Sequence, residues 1–277
     1  LGRYAVSLRG ALDEAGITYT LKPPTCGLPV RMAHTLLAPL GFDVRAFFGT
    51  YPLAAGLERD TLTHLTAQQM AIMLWLHPLL RPVVVTVHDI VPFLVRDDPE
   101  QTTFQHPMDR WFDHWAMMGL RRATALICDS QFTKKAVINA IGCRADRTYV
   151  VPLGVRHETF HPLAPQPAFH QRYGLDPELR YILYVGSENP RKNLPRLLQA
   201  FASLRGAKSD LRLLKVGARQ YGPQAEALEQ QIKGLGLKDA VILIDQVPDE
   251  DLAMFYNTAT LLVFPSLYEG FGLPPLE

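Results

Sequence analysis

Arg191 and Lys192 are adjacent cations in the turn Gly186-Ser187-Glu188-Asn189-Pro190-Arg191-Lys192-Asn193. The turn lies between an apolar run, Tyr181 to Val185, and a segment whose Leu194, Leu197, Leu198 and Phe201 share a helical face. An arginine fork and a lysine point charge both suit phosphate oxygens. A helix start disfavours neighbouring cations by about 0.3–1 kcal/mol, so an anion arriving there would offset them. Glu269 and Glu277 bracket Gly270-Phe271-Gly272-Leu273-Pro274-Pro275-Leu276. Carboxylates accept hydrogen bonds, and sugar or ribose hydroxyls donate them. The two glycines let a ligand approach the main chain closely. Proline favours the first helical position, so a helix is predicted to open here, with the amides of Gly270 to Leu273 beside an anion site. His88-Asp89 directly follows Val83-Val84-Val85-Thr86-Val87. His88 can donate to a sugar hydroxyl or a phosphate and changes charge near neutral pH; Asp89 reads as structural or as a helper. The plainer readings are a solvated cation pair, two loop carboxylates and a hydrogen-bonded structural histidine.

These groups need rigid elements behind them. Val83–Val87 is apolar and β-branched, the strongest strand signal of the first half. Leu261–Phe264 reads as a strand buried on both faces, ahead of the glutamates. Further strands are expected at Ile17–Leu21, Thr61–Leu65, Thr124–Cys128, Tyr149–Val155, Leu211–Gly217 and Val241–Ile244. Helices are expected over Ala5–Ala15, Ala67–Leu76, Met108–Arg122, the segment capped by Asp129-Ser130, Gln224–Leu235 and Asp249–Asn257. Trp111, Trp115, Met118 and Arg122 fall on one helical face, which is expected to meet the core rather than a membrane surface. The proline-rich stretch from Arg156 to Leu179 reads as a linker. The chain thus divides into residues 1–160 and 161–277, an α/β protein whose strands alternate with helices in parallel, doubly wound sheets. In such sheets ligands gather at the carboxyl ends of strands, where all three groups fall.

With Glu269 and Glu277 separated by GFGLPPL, this segment resembles the Glu-x7-Glu motif of retaining, sugar-nucleotide-dependent glycosyltransferases of family 4, which have the GT-B fold. The resemblance implies two Rossmann-like domains facing a cleft, with the second incomplete at its C-terminus. YVGSENPRKN is similar to the family's diphosphate loop, and so implies donor contacts at Gly186 and Ser187 and leaving-group stabilisation by Arg191 and Lys192. Many members carry arginine where Ser187 stands. TVHDIVP resembles the segment whose histidine, here His88, reaches the donor sugar. Glu269 would hold sugar hydroxyls, Glu277 the ribose, and Gly270, Phe271, Gly272 and Leu273 the donor. Gly2 and Arg3 resemble the tail of a Gly-rich turn, and Ser130 a serine near the cleft, although a frayed terminus and a helix cap explain them equally. The implied reaction moves a sugar from a nucleoside diphosphate sugar to a hydroxyl acceptor, with retention and without a metal or other cofactor. The PRKN form looks most like mannosyl-type enzymes of surface polysaccharide or lipopolysaccharide assembly. The competing readings are a sugar-nucleotide epimerase or phosphorylase on the same fold, and an inactive nucleotide-sugar-binding fragment.

The 277 residues carry a net charge of +1, so no global basic field points to nucleic acid. Cys26, Cys128 and Cys143 lack metal or redox spacing and read as reduced, buried thiols. The apolar run Met70–Leu80 is broken by His77 and Pro78 and is too short to span a bilayer. The resemblance implies as partners a nucleotide sugar and a saccharide or lipid-linked acceptor, in the cytoplasm or at the inner face of the membrane. The chain starts at Leu1 rather than methionine and stops about one turn into the predicted helix. It reads as a fragment, with poor solubility or weak donor binding expected of these residues alone.

Overall fold

The computed structural model describes residues 3–22, 50, 52, 61–77, 82–104, 107–164, 166–206, 208–219 and 223–277. It divides into two compact units, Leu1–Pro152 and Leu153–Glu277. Gly2 and Cys26 lie outside the described residues, as does most of Pro23–Leu57.

The first unit opens with helix α1 (Arg3–Glu14). Strand β1 (Thr63–Leu65) leads to a 3-10 turn over Gln68–Ile72 and the short α2 (Met73–Leu76). Then come β2 (Val83–Val87), α3 (Val91–Leu94) and α4 (Pro107–Gly119). The unit ends with β3 (Ala125–Cys128), α5 (Gln131–Ala136) and β4 (Thr148–Val150). Among the described residues its strands are parallel in the order β1-β2-β3-β4. Val83, Val85 and Val87 are almost wholly buried. Each such side chain contributes about 1.5–3 kcal/mol relative to exposure.

One expectation fails in this unit and another holds only in part. Ile17–Leu21 forms no strand: Gly16 turns left-handed (φ 66°), and the Ile17 N–H bonds back to the Leu12 carbonyl at 2.9 Å. Those amides close α1, leaving Ile17 and Leu21 exposed. The tryptophan face of α4 meets the core only in part: Trp115 and Met118 pack against it, but Trp111 is 57% exposed, and the fully buried positions are Asp113, Ala116, Met117 and the following Leu120. A Cβ on Gly119 would stand 2.2 Å from the Ala71 carbonyl oxygen. The helix backbone therefore touches the 3-10 turn at Gly119, a position with no room for a side chain.

The second unit runs α6 (Pro167–Tyr173), β5 (Arg180–Val185), α7 (Leu194–Arg205), β6 (Leu211–Val216) and α8 (Pro223–Gly234). It continues with β7 (Val241–Ile244), α9 (Asp249–Thr258) and β8 (Leu261–Leu262). The sheet is parallel in the order β7-β6-β5-β8. Alternate residues of β5 enter two cores. Tyr181, Leu183 and Val185 pack with Phe169 and Phe255 on one face; Ile182 and Tyr184 pack with Leu198 and Phe201 on the other. Residues just before Pro167 belong here too: Phe160 lies in this core, Arg156 pairs with Asp249, and the Leu163 N–H donates to Asn257 Oδ1 at 2.8 Å.

β8 corrects another expectation. It pairs only with β5 among the described residues, and Leu261 is 54% exposed, so this is an edge strand and not one buried on both faces. Beyond it, residues 274–276 make a single turn, with the N–H groups of Leu276 and Glu277 both bonding the Leu273 carbonyl, at 2.8 and 3.0 Å. That is one helical turn where a helix start was expected.

Candidate functional site

The chain leaves β5 toward β6 and β7, then returns on the other side of β5 as β8. The carboxyl ends of β5 and β8 therefore flank a topological switch point, the position where open α/β sheets bind ligands. Leu183 and Leu262 are register partners, so the loops after the two strands leave the same edge side by side.

Those loops are joined by both main-chain and side-chain bonds. The Leu267 N–H donates to the Arg191 carbonyl at 2.8 Å, and Asn193 Nδ2 donates to the Pro265 carbonyl at 3.2 Å. Asn193 sits left-handed (φ 57°) between the 3-10 turn Pro190–Lys192 and α7, which bends the cationic turn back toward β8. Asn189 Oδ1 accepts from the Arg191 N–H at 3.2 Å.

The result is a charged cluster. Arg191 Nη1 lies 3.0 Å from Glu269 Oε2 and donates to the Tyr268 carbonyl at 3.0 Å. Lys192 Nζ lies 2.5 Å from Glu269 Oε1 and 5.3 Å from the Phe264 ring centroid. The three side chains are 13–19% exposed. Burial by itself would push the Glu269 carboxyl up, but the Lys192 hydrogen bond and the charges of Lys192 and Arg191 hold it below the ordinary range. Sequence spacing placed the cations with a phosphate and the glutamate with a sugar. The structure adds that each satisfies the other.

Gly270 to Leu273 follow Glu269 directly, with Gly270 buried and Gly272 left-handed at φ 90°. Glu277 Oε2 accepts from the Tyr256 hydroxyl of α9 at 2.8 Å. The Gly186 N–H donates to the Val216 carbonyl at 2.9 Å, and the Ser187 carbonyl accepts from the Tyr184 hydroxyl at 2.8 Å. A Cβ on Gly217, the residue after β6, would stand 2.7 Å from the Gly186 oxygen, so the loops after β5 and β6 are in backbone contact.

Sequence reasoning missed what stands beneath this loop. Lys215, wholly buried on β6, pairs with the buried Glu188 at 3.1 Å and donates to the Gly217 and Ala218 carbonyls at 2.8 and 3.2 Å. Burial pushes its ammonium pKa down, and Glu188 opposes that shift. The signal was a lone lysine inside the apolar strand LRLLKV. Such a pair resists removal of either partner.

In the first unit, β2 and β3 end in register at Val87 and Cys128, so His88 and Asp129 emerge side by side. His88 Nδ1 is 2.7 Å from Asp129 Oδ2, and Nε2 is 3.0 Å from the Thr66 carbonyl oxygen. Asp89 Oδ1 accepts from the Val91 N–H at 3.1 Å, a structural role at the start of α3. Ser130 caps α5, accepting from the Thr133 N–H at 3.1 Å. Arg3 opens α1. Cys128 and Cys143 are buried free thiols, which desolvation pushes up to about 12 and about 11. Among the described residues no helix is long and apolar enough to cross a membrane.

Solved structures share this architecture. A sucrose-phosphate synthase from Thermosynechococcus elongatus superposes with a TM-score of 0.62 at 23% identity, over 90% of this chain and 59% of that one. Anabaena Alr3699/HepE, solved with UDP and glucose, gives 0.59 at 21% identity, over 96% and 66%. At such identities the likeness is one of fold, and it defines the chain as a GT-B glycosyltransferase fold. In sequence, the family description "Glycosyltransferase Family 4" matches residues 1–159, and "Glycosyl transferases group 1" matches residues 165–277. The chain belongs to glycosyltransferase family 4. O-antigen chain mannosyltransferase B of Escherichia coli is 32% identical over 198 residues, covering 70% of this chain and 49% of that protein. The chain thus spans about half the length of that relative.

Proposed function

We propose that this protein transfers a sugar, mannose in the first instance, from a nucleoside diphosphate sugar to a hydroxyl acceptor during surface polysaccharide assembly. The observation that carries the reading is the union of Arg191, Lys192 and Glu269 at the switch point of the second sheet. The difficult part of glycosyl transfer from such a donor is the negative charge that develops on the departing diphosphate. Cations fixed in advance stabilise that charge more in the transition state than in the ground state, which is what accelerates the step. Arg191 and Lys192 take this role. The arriving diphosphate competes with Glu269 for both cations, and the carboxylate so released accepts from donor-sugar hydroxyls. Glu277, oriented by Tyr256, accepts from the ribose, while the glycine-rich loop lets the donor approach the main chain. His88 donates to a substrate oxygen. Resemblance to the retaining family supports retention of the anomeric configuration, and Arg191 and Lys192, by supplying the positive charge, take the place of a metal at the diphosphate. The mannose assignment rests on relatives named mannosyltransferases and on the PRKN form of the loop.

The test is thermal-shift titration of the full-length protein with GDP-mannose, UDP-glucose and UDP-N-acetylglucosamine, followed by donor turnover with and without acceptor and NMR of the product anomer. Stabilisation by GDP-mannose and acceptor-dependent release of GDP are expected. Donor conversion without acceptor, or no shift with any nucleotide sugar, refutes the reading.

A further inference from the structure

Asp129 is 2% exposed, and an ionised carboxylate in such a place requires compensation. Among the described residues its Oδ1 has no hydrogen-bond partner, and its Oδ2 faces His88 Nδ1 at 2.7 Å. The other ring nitrogen of His88 faces the Thr66 carbonyl at 3.0 Å, a group that only accepts. A neutral imidazole has one N–H and would turn a lone pair toward either the carboxylate or the carbonyl. With the carboxylate ionised, both contacts are attractive only when both nitrogens carry protons.

The surroundings fix the ring in that state. The His88 main chain is held at both ends: its N–H donates to Gln68 Oε1 at 3.2 Å, and its carbonyl accepts from Thr133 Oγ1 at 3.3 Å. From α1, the Tyr4 ring meets the imidazole edge-on at 4.9 Å, and its hydroxyl is 2.9 Å from Thr86 Oγ1. From β1, His64 is tied to the same Thr86 oxygen at 2.8 Å, and burial pushes its pKa down, which disfavours a competing charge there. Asp89 adds a second nearby carboxylate. Burial by itself would lower the proton affinity of His88, but the Asp129 bond and charge, the Thr66 carbonyl and the Asp89 charge outweigh it, and the net shift is upward.

We propose that Asp129 is a positioning residue that keeps His88 a doubly protonated imidazolium, so that the ring serves substrate as a hydrogen-bond donor and fixed cation, not as a general base. This rests on the reading of His88 as a substrate-facing residue; its side chain is 31% exposed. An arriving substrate oxygen shares or replaces the Thr66 carbonyl as acceptor of the Nε2 proton, while Asp129 retains the Nδ1 proton. No proton is transferred, and the charge of the ring is unchanged through the reaction.

Long-range nitrogen–proton NMR of the full-length protein, with His88 assigned by its loss in His88→Asn, reads the ring state directly. Two protonated ring nitrogens are expected at neutral pH in the wild type. In Asp129→Asn the titration midpoint should fall by about one unit or more. The alkaline limb of kcat/KM should move down with it, so that activity drops about tenfold near pH 8 and stays within about threefold near pH 6. A neutral His88 in the wild type at neutral pH overturns the proposal, and that spectrum decides even if Asp129→Asn fails to fold. Coincident alkaline limbs in wild type and variant overturn it too. If the ring behaves as expected but the wild type transfers no sugar, the functional reading fails and the assignment to Asp129 stands.

Discussion

Lys192→Ala removes one of the two cations assigned to the leaving diphosphate, and its cost follows from the geometry. Lys192 Nζ reaches 2.5 Å from Glu269 Oε1 with only 13% of its side chain exposed, so the charge sits where screening is incomplete. A unit charge about 4 Å from a phosphate oxygen contributes about 4 kcal/mol at an effective dielectric of about 20. Arg191 remains on the same carboxylate at 3.0 Å and compensates in part. If it recovers half, about 2 kcal/mol is lost; if none, about 4. At tenfold per 1.36 kcal/mol, kcat should fall by about 30- to 1,000-fold. Stability should fall as well, because Glu269 loses one of its two cations at a site only 13–19% exposed, although Arg191 still pairs with it. Lys192→Met is the control for shape, since it keeps the chain over the Phe264 ring without the charge, and it should match the alanine variant. The assay is release of nucleoside diphosphate at saturating donor and acceptor, beside a thermal melt of each variant. A folded Lys192→Ala protein with kcat within fivefold of wild type would refute the leaving-group role.

Gly119→Ala should destabilise the first unit by about 3 kcal/mol, because the new methyl lands 2.2 Å from the Ala71 carbonyl oxygen; denaturant unfolding measures it, and a loss below about 1 kcal/mol would show that α4 shifts freely. Tyr256→Phe unlocks Glu277 and should raise the donor KM several-fold at unchanged kcat, which steady-state kinetics would show. Glu269 has a depressed pKa, so its stabilising contribution is present above the ordinary glutamate range and is lost as pH falls through the lower folded value. The stability gap between wild type and Glu269→Gln should therefore narrow in acid, as urea titrations at several pH values can test. Activity should survive EDTA; its loss, with recovery on adding a divalent ion, would remove the metal-independent reading.

Much of the site was legible because parallel α/β sheets put chemistry at strand ends, and strand ends are easy to see in sequence. Val83–Val87 and Val241–Ile244 were located to the residue, since unbroken β-branched and apolar runs have few other uses. Helix caps were equally plain: Ser130 caps α5, and Asp249, Glu250 and Asp251 fill the first turn of α9. The residue types and order of GSENPRKN and of Glu269 to Glu277 suggested the chemistry proposed for them.

Pairings across the sheet were not legible, because side-chain partners depend on which strands become neighbours. Glu269 lies 78 positions from Arg191, and only the β5–β8 pairing brings them together. His88 and Asp129 meet for the same reason, through the register of β2 and β3. Lys215 passed unnoticed inside the expected strand Leu211–Gly217, because nothing local marks Glu188 and two carbonyls as the partners of its ammonium group. The rotation of α4 was legible only in part: Trp115 and Met118 pack against the core as their spacing suggested, but Trp111 does not, and the close approach of Gly119 to the Ala71 carbonyl leaves no mark in a hydrophobic pattern. Local sequence determined the elements and the kinds of chemistry at their ends. Tertiary structure decided which charges neutralise one another, because electrostatic partnership depends on distances of a few ångströms that no spacing along the chain records.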